Sequence, residues 1–485
     1  MRIQNASLLM SHGDLQARKA LLEILEAGLE ASDPYHNTRR LVRREGDRLI
    51  IGCRDFEPEG DPSAGDEVIG LETVGRIYVV GAGKGIQRVA KALEDILGDR
   101  LTGGHVIDKK GQPLCCERIG VTFGGHPVPD MDCVRGCQRI VEIIDQLQPD
   151  DLIFTLVANG VSSLLTLPVP EVTLEDVREV TYLMQIKRGA FTGHLNPVRN
   201  HLDQLKGGKI ARRIGRVKAI HILAWPPFTY QVLMTQNIWL HTLPGCSTFE
   251  TAIEMLKRYD AWDEAPEAVR AFLLKADPAQ ETVKADEYET FNYRIFGVMP
   301  YHMSGLSAAQ AKAQELGFKA HMLARLMHAE AREAGRVMAW IARNIEQYGE
   351  PFEPPCVLLS GGELLVTVGD EKGIGGRNQE FVLSAALDIA GSENILVGSV
   401  DTDGTDGPGT QFWRGDELLP CLAGGIADGS TVARAEELGI DLFDVLKRHD
   451  TTPALWKLGD GIVAQHNISL NDIRVVMVLG RGGDH

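Results

Sequence analysis

Short apolar runs that alternate with helix-like segments constrain the fold of this chain more than any other feature. RIYVV at 76–80 leads into a glycine loop and a helix-like segment that ends near residue 97, and LIFTLVA at 152–158 leads into a polar turn. HVID at 105–108, VTFGG at 121–125 and KAIHILAW at 218–225 are also strand-like. Strands that alternate with helices at this spacing predict a doubly wound, largely parallel sheet, so we expect an α/β, Rossmann-like N-terminal domain.

A second α/β region is predicted in the C-terminal part. The strand-like runs that begin at Leu358 and end at Asp401 flank a helix-like segment, and IRVVMVL at 473–479 is the last strand. The stretch from Ser307 to Gln347 is predicted to form one or two helices. At 485 residues, two domains are expected. The two expected domains are residues 1–300 and residues 301–462. Residues 463–485 are expected to form a final strand, and one option is that this strand returns to the N-terminal domain.

Composition limits the classes of partner and the compartment. The net charge of -17 argues against nucleic acid or an anionic membrane as a partner. The N-terminus lacks the apolar core of a signal peptide, and no apolar run reaches membrane-spanning length. The eight cysteines show no CxxC or zinc-type spacing, so reduced thiols in a cytoplasmic protein are expected.

The loop GAGKG at 81–85 joins a predicted strand to a predicted helix. Backbone amides at such a turn attract anions, and Lys84 adds a cation. As a dinucleotide fingerprint the loop is incomplete, because Ile86 stands where a third glycine would be. Asp108, at the end of the next strand, is placed as a ribose-binding acid would be. An ordinary tight turn between strand and helix is the alternative.

The stretch HLNPVRNHLDQLKGGK at 194–209 is dense in cationic and amide side chains. Asn196, Arg199 and Lys206 are candidates to hold a carboxylate or phosphate, Arg199 through two parallel hydrogen bonds. A solvated basic face is the alternative. His126, in the rigid turn HPVPD, is a candidate for substrate contact or a simply hydrogen-bonded histidine.

Polar residues also follow the two C-terminal strands. Arg377 lies in the glycine loop GGRNQE just before a helix, with a surface salt bridge as the alternative reading. Asp401, Asp403 and Asp406 follow the next strand and could hold magnesium, although an Asx-turn loop would use the same residues. Glu363 is a lesser candidate.

Six motifs, in this order, resemble the glycerate 2-kinase family with its DUF4147 and C-terminal MOFRL regions. They are GAGK, GHPVPD, NPVRNHL followed by KGG, SGGE, GGRNQE and TDGTDGP. The resemblance covers the chain from about Ala17 to the last strand. It implies two α/β domains with an active-site cleft between them, ATP and Mg²⁺, and phosphorylation of a small hydroxy acid at its 2-hydroxyl. Lys84 and Arg377 match the lysine and arginine proposed to be catalytic in that family.

The resemblance and the local chemistry together predict three sets of site residues beside Lys84 and Arg377. The nucleotide set is Gly81, Gly83, Asn159, Gly160, Ser162, Gly361 and Gly376. The substrate set is His126, Asn196, Arg199, Lys206, Glu363 and Asn378, and the metal set is Asp401, Asp403 and Asp406. Two alternatives stay open: an NAD(P)-dependent oxidoreductase, since family members have been labelled hydroxypyruvate reductase, and a ligand-binding member without catalysis. A homodimer is compatible with either of these two alternatives.

Four loops depart from the family pattern. They are residues 158–165, where Val161 replaces a glycine, 224–228, which contain no carboxylate, 243–246 and 464–469. Most of the changes replace a small, flexible or acidic group with a bulkier or apolar one. They predict either a substrate larger or less polar than glycerate, or a loss of phosphoryl transfer.

Overall fold

The computed structural model describes residues 2–299, 304–368, 370–407, 412–414, 417–465 and 472–480. The chain forms two compact units: a middle unit, Pro34–Tyr301, and a terminal unit, Met1–Asp33 with His302–His485. The N-terminal helices α1 (Ala6–Leu9) and α2 (Leu15–Ala31) therefore belong with the C-terminal part, not with the N-terminal domain to which the sequence analysis assigned them. The reason is burial of α2: Leu21 and Leu25 pack in the core of the terminal unit. No helix among the described residues is long and apolar enough to cross a bilayer.

The middle unit contains nine strands and eleven α-helices among its described residues. The strands are β1 (Val42–Glu45), β2 (Arg48–Ile51), β3 (Glu67–Gly70), β4 (Ile77–Ala82), β5 (Gly103–Lys109), β6 (Gly120–Gly124), β7 (Leu152–Val157), β8 (Lys218–Leu223) and β9 (Tyr293–Gly297). The helices are α3 (Pro34–Leu41), α4 (Gln87–Leu97), α5 (Met131–Ile144), α6 (Val161–Leu164), α7 (Leu174–Thr181), α8 (Thr192–His201), α9 (Lys209–Ile214), α10 (Tyr230–Thr235), α11 (Phe249–Arg258), α12 (Glu267–Lys275) and α13 (Ala285–Tyr288).

The main sheet of the middle unit has the strand order β6-β5-β4-β7-β8-β9 and is parallel throughout. Every residue of β4 and β7 is buried, as expected for central strands covered on both faces. The predicted doubly wound fold is thus confirmed. The strand order reverses between β4 and β7, and ligands of such sheets bind beyond the carboxyl ends of the strands at this switch point.

A buried histidine in β8 makes the middle unit sensitive to acid. Nδ1 of His221 lies 2.6 Å from Oγ1 of Thr155, and burial lowers the pKa of His221 to about 3. In the unfolded chain this histidine has a pKa of about 6.5, so it becomes protonated at a higher pH than in the folded protein. The free energy of unfolding therefore falls as the pH drops from about 6.5 toward 3. We expect His221 to account for a loss of about 2–3 kcal/mol between pH 7 and pH 4.5.

The variant His221→Gln, which does not titrate, should lose correspondingly less stability over that range in urea unfolding at the two pH values. An acid-dependent loss equal to that of the wild type would contradict this assignment.

The terminal unit is built around a mixed sheet. Its strands are β10 (Lys319–Ala324), β11 (Cys356–Gly362), β12 (Ile395–Asp401), β13 (Phe412–Arg414), β14 (Glu417–Leu419), β15 (Gly424–Asp428), β16 (Gly461–Ile462) and β17 (Asp472–Val478). Its further helices are α14 (Ser304–Glu315), α15 (Ala331–Tyr348), α16 (Arg377–Ile389), α17 (Thr431–Glu437), α18 (Leu442–Lys447) and α19 (Thr451–Leu458). The six-stranded sheet has the order β10-β11-β17-β12-β15-β16, and β13 pairs with β14.

The last strand, β17, lies in the centre of this sheet and pairs antiparallel with both β11 and β12. It does not return to the sheet of the middle unit, so that option from the sequence is wrong. The reason is that β17 is apolar on both faces: Val475 and Met477 pack on the side of α2, while Val476 and Val478 pack on the side of α15 and α16. A strand of this kind is stable only between two covering layers.

The stretch from Ser307 to Gln347 also differs from the prediction of helices alone. Strand β10 separates α14 from α15 and pairs in parallel with β11. The sequence of β10 is also compatible with a helix. Its hydrogen bonds to β11, a strand distant in sequence, stabilise the extended conformation instead.

Candidate active site

A pocket of about 560 Å³ lies at the switch point of the middle unit. The loops after β4, β6, β7 and β8 contribute to its wall, together with α8 and the segment before it. Its lining includes seven residues predicted from the sequence: Lys84, His126, Asn159, Gly160, Ser162, Asn196 and Arg199. Among the described residues, the lining contains two fixed cations and no carboxylate, in a chain of net charge -17. We call this the switch-point pocket.

Arg199 and Asn196, both on α8, are buried and lack the partners that buried polar groups normally have. The guanidinium of Arg199 is bonded to Oε1 of Gln185 at 3.3 Å and pairs with no carboxylate among the described residues. Burial lowers the pKa of Arg199 to about 10. Neither amide atom of Asn196 has a hydrogen-bond partner within the described part of the chain. Buried groups of this kind are costly unless a ligand satisfies them, and a guanidinium beside an amide suits a carboxylate.

Lys84 and His126 face each other across Gly160. The half-buried ammonium of Lys84 pairs with no acidic side chain in the ranges that the structure describes. Gly160 has φ +81°, and a Cβ there would lie 3.0 Å from Cγ of Lys84 and from the ring of His126, so only glycine allows this approach. Burial, and then the charge of Lys84, lowers the pKa of His126 to about 4. His126 is therefore neutral at pH 7.

Ser162 is linked to a histidine that the sequence analysis did not single out. Nε2 of the buried His241 lies 3.0 Å from Oγ of Ser162, and Nδ1 of His241 has no partner among the described residues. Burial lowers the pKa of His241 well below its usual value. The neutral ring is best satisfied when Nε2 carries the proton and donates to Ser162, which leaves the serine hydroxyl proton available to an acceptor in the pocket.

Gly81 and Gly83 do not line this pocket, and their role in the structure is packing. A Cβ at Gly81 would lie 2.3 Å from the carbonyl oxygen of Leu156, and one at Gly83 would lie 2.5 Å from Cβ of Ala158. Asp108 is buried and accepts hydrogen bonds from the backbone of Gly85 at 2.8 Å and from the side chain of Gln87 at 3.0 Å. Its carboxylate is thus already engaged, which disfavours the predicted contact with a ribose.

Lys206 lies outside the pocket, and its internal partners disfavour the predicted role in binding substrate. Its ammonium is buried and donates to Oδ2 of Asp203 at 2.7 Å and to Oγ1 of Thr166 at 3.0 Å. The neighbouring Lys209 donates to the carbonyl oxygen of Asp203 at 2.7 Å, and burial lowers its pKa to about 8. Both lysines hold the turn between α8 and α9 in place.

In the terminal unit, Arg377 is the centre of a cluster of buried charges at the ends of β12 and β17. Its Nε donates to Asp472 at 2.9 Å, its Nη2 to Asp401 at 2.6 Å, and its Nη1 lies 3.3 Å from the exposed Glu363. Asp472 also accepts from the buried Arg474 at 3.0 Å. The salt bridge of Arg377 is therefore largely internal rather than on the surface.

Asp472 was missed by the sequence analysis. It is fully buried at the first position of β17, and strand register places it opposite both Gly362 and Asp401. The only signal in the sequence was a carboxylate directly before an apolar strand.

The three aspartates predicted to hold a metal do different things in the structure. Asp406 caps α16 by accepting from the backbone amides of Asn378 at 3.1 Å and Gln379 at 3.0 Å, and burial raises its pKa to about 6. Asp403 accepts from the backbone and the hydroxyl of Thr405, both at 2.7 Å. Asp401 binds Arg377, and burial, followed by the charge of Asp403, raises its pKa.

No group of three His, Cys, Asp or Glu side chains in the described ranges could hold a metal ion. The three aspartates are engaged by groups of the fold in this arrangement, and the magnesium site stays a prediction of the sequence.

The remaining predicted residues of the terminal unit divide into buried and exposed positions. Asn378 is fully buried, and its amide nitrogen donates to Asp406 and Asp472, so it supports the cluster rather than facing a substrate. Gly361 is a buried member of β11, and Gly376 directly precedes α16. Only Glu363 and part of Arg377 are exposed to solvent.

The structure is that of an α/β protein of two units with a pocket lined by two cationic side chains in its middle unit. Two family models match the chain: the domain of unknown function DUF4147 over residues 20–224, and the MOFRL family over residues 356–469. A glycerate 2-kinase of Pyrococcus horikoshii is 32% identical over 97% of this chain and 99% of its own length. A D-glycerate 2-kinase of Thermotoga maritima is 33% identical over 83% of this chain and 91% of its own length.

The crystal structure of a glycerate kinase from Thermotoga maritima superimposes with a TM-score of 0.74 at 30% identity, and the match covers 96% of this chain and all of that one. The chain belongs to the glycerate 2-kinase family, as its motifs predicted.

Proposed function

We propose that this protein is an ATP-dependent kinase of a small hydroxy acid. Two glycerate 2-kinases share about a third of its residues over most of its length. The observation that carries the proposal to this chain is a pair of buried groups on α8 in the switch-point pocket. Among the described residues, the amide of Asn196 has no hydrogen-bond partner and the guanidinium of Arg199 has no carboxylate partner. Such a pair needs an anionic ligand, and a hydroxy acid supplies one.

In the proposed reaction, Arg199 and Asn196 hold the carboxylate of the acid. The oxygen of its 2-hydroxyl attacks the γ-phosphorus of ATP, the bond from that phosphorus to the bridging oxygen of the β-phosphate breaks, and the electron pair leaves with ADP. The hydroxyl proton passes to water, because His126, with its pKa of about 4, is too weak a base to retain it at pH 7. Lys84 neutralises charge on the transferred group, for which Asn159, Gly160 and Ser162 provide the adjacent wall.

Two residues and two further properties stay predictions of the sequence. Arg377 is proposed to be required for turnover, and Glu363, its exposed partner, is proposed to contact the substrate. The cytoplasmic location and the homodimer likewise stay predictions. The reductase alternative has lost its support at Asp108, whose carboxylate accepts from the backbone amide of Gly85 in the loop after β4.

The test is ADP release from ATP in the presence of glycerate, with the product identified by phosphorus NMR. Arg199→Gln should raise the KM for the acid about ten- to hundredfold, because a hydrogen-bonded charge contributes about 1.5–3 kcal/mol. The KM for ATP should change much less. Since the substitution removes a buried, unpaired charge, the thermal midpoint should stay the same or rise.

Arg213→Gln is the matched control, since Arg213 pairs with Asp145 on the surface of the same unit. It should leave both KM values unchanged. Absence of glycerate-dependent ADP release, or an unchanged KM for the acid in Arg199→Gln, would contradict the proposal. Acid binding without any turnover would support the alternative of a non-catalytic binding protein.

A further inference from the structure

Part of the wall of the switch-point pocket is aromatic. Trp225 and Phe228 come from the loop after β8, and Trp239 comes from the segment after α10. Trp225 and Trp239 contact each other edge to face, with ring centroids 5.2 Å apart and planes at 83°. All three rings are half-buried and pack against the core, so they form a fixed surface. A fourth ring, Phe191, lies at the rim and is 60% exposed.

This wall is not explained by glycerate. A three-carbon acid that carries two hydroxyl groups has little apolar surface, and a hydroxyl placed against indole rings would lose hydrogen bonds to water without replacement. The loop after β8 offers no carboxylate that could accept from a second hydroxyl. Pockets of this volume, apolar on one side with a few convergent polar groups, fit ligands that present an apolar face and a charged end.

We infer that the acid phosphorylated by this protein is a 2-hydroxy acid with an apolar or aromatic group on C3, held between the Arg199–Asn196 pair and the Trp225–Trp239 wall. This inference rests on the proposed kinase function and specifies its substrate class. The carboxylate satisfies the two buried groups on α8, and the apolar group covers the indole rings and displaces water from them. The transfer step is unchanged: the 2-hydroxyl oxygen gains the γ-phosphoryl group, ADP leaves, and the proton passes to water.

The selectivity has a simple physical basis. Burial of an aromatic ring against aromatic walls is favourable in proportion to the apolar area removed from water, whereas glycerate gains nothing from that wall. An acid such as 3-phenyllactate should therefore bind at least about tenfold more tightly than glycerate.

Binding and turnover are measured separately so that the two proposals can fail independently. Titration calorimetry compares 3-phenyllactate with glycerate, and ADP release compares the same two acids. Trp239→Ala should weaken 3-phenyllactate at least about fivefold and leave glycerate nearly unchanged. Phe191→Ala, at an exposed rim position that folding does not require, should weaken 3-phenyllactate by a smaller factor. Trp340→Ala, an exposed tryptophan of the terminal unit, is the control and should change neither.

Each outcome decides one question. A preference for 3-phenyllactate that Trp239→Ala or Phe191→Ala reduces would support the inference. Equal or weaker binding of 3-phenyllactate, with ADP released from glycerate, would overturn the inference and leave the kinase proposal standing. Tight 3-phenyllactate binding without ADP release from any acid would overturn the kinase proposal and leave the ligand class standing. A higher KM for ATP, with unchanged acid affinity, in Trp239→Ala would assign the wall to the adenine base and overturn the inference.

Discussion

Arg377→Ala should reduce kcat by about 10³-fold or more, as expected for an arginine that neutralises charge in phosphoryl transfer. The residue is suited to this because Asp401 and Asp472 fix two edges of its guanidinium, while the third faces the exposed Glu363. The pKa of Arg377 is raised by these carboxylates, so its charge is permanent. Steady-state ADP release with saturating acid and ATP measures the effect.

The same substitution leaves buried carboxylates without their cation, so it should also lower the stability of the terminal unit by about 3–5 kcal/mol. Turnover must therefore be measured well below the midpoint of unfolding. Arg336→Ala is the control, because Arg336 forms an exposed ion pair with Asp388 in the same unit, and it should retain full activity. A folded Arg377→Ala protein with near-normal kcat would show that Arg377 serves only the charge cluster.

Arg18→Met should lower the free energy of unfolding of the terminal unit by about 3–5 kcal/mol. Arg18 is buried in α2 and donates to Asp428 at 2.9 Å and to Asp460 at 2.7 Å, near the ends of β15 and α19. Methionine keeps the aliphatic volume of the side chain but removes the guanidinium that pairs with both carboxylates. Calorimetric unfolding should show a fall in Tm of roughly 6–20 °C, on the scale of 2–4 °C per kcal/mol for a unit of this size.

Lys19→Met is the matched control on the same helix. Lys19 is exposed, and its only ion pair among the described residues, with Glu23, is 3.8 Å long, so we expect a change within about 0.5 kcal/mol. Equal stability of Arg18→Met and Lys19→Met would contradict the prediction. It would show that the ion pairs of Arg18 with Asp428 and Asp460 do not hold α2 in the terminal unit.

Much of the middle unit followed from the sequence, because its strands are short apolar runs that end in glycine or polar turns. Lys84, Asn159 and Ser162 follow two of these strands, and parallel strands bring such turns to one edge of the sheet. The aromatic wall was not predicted, since Trp225 and Trp239 are separated by α10 and only the folded loop brings their rings into contact.

The charged residues of the stretch 194–209 show where prediction from sequence stops. Arg199 and Lys206 were equally plausible ligands for an anion. In the structure Lys206 has the buried carboxylate of Asp203 as a partner, while Arg199 has none within the described residues. Of these two cations, Arg199 therefore remains the candidate for binding substrate.

The sequence by itself determined the fold class, the family and the positions of the glycine and polar turns, because these depend on local patterns of apolar residues and on short motifs. The tertiary structure alone decided which charges are satisfied internally. Arg377 meets Asp472 across 95 residues of sequence, and Asp406 meets the start of α16 across 28. The pairing of buried charges depends on contacts between strands that are distant in sequence. These contacts determine which cations stabilise the fold and which remain available to bind a ligand.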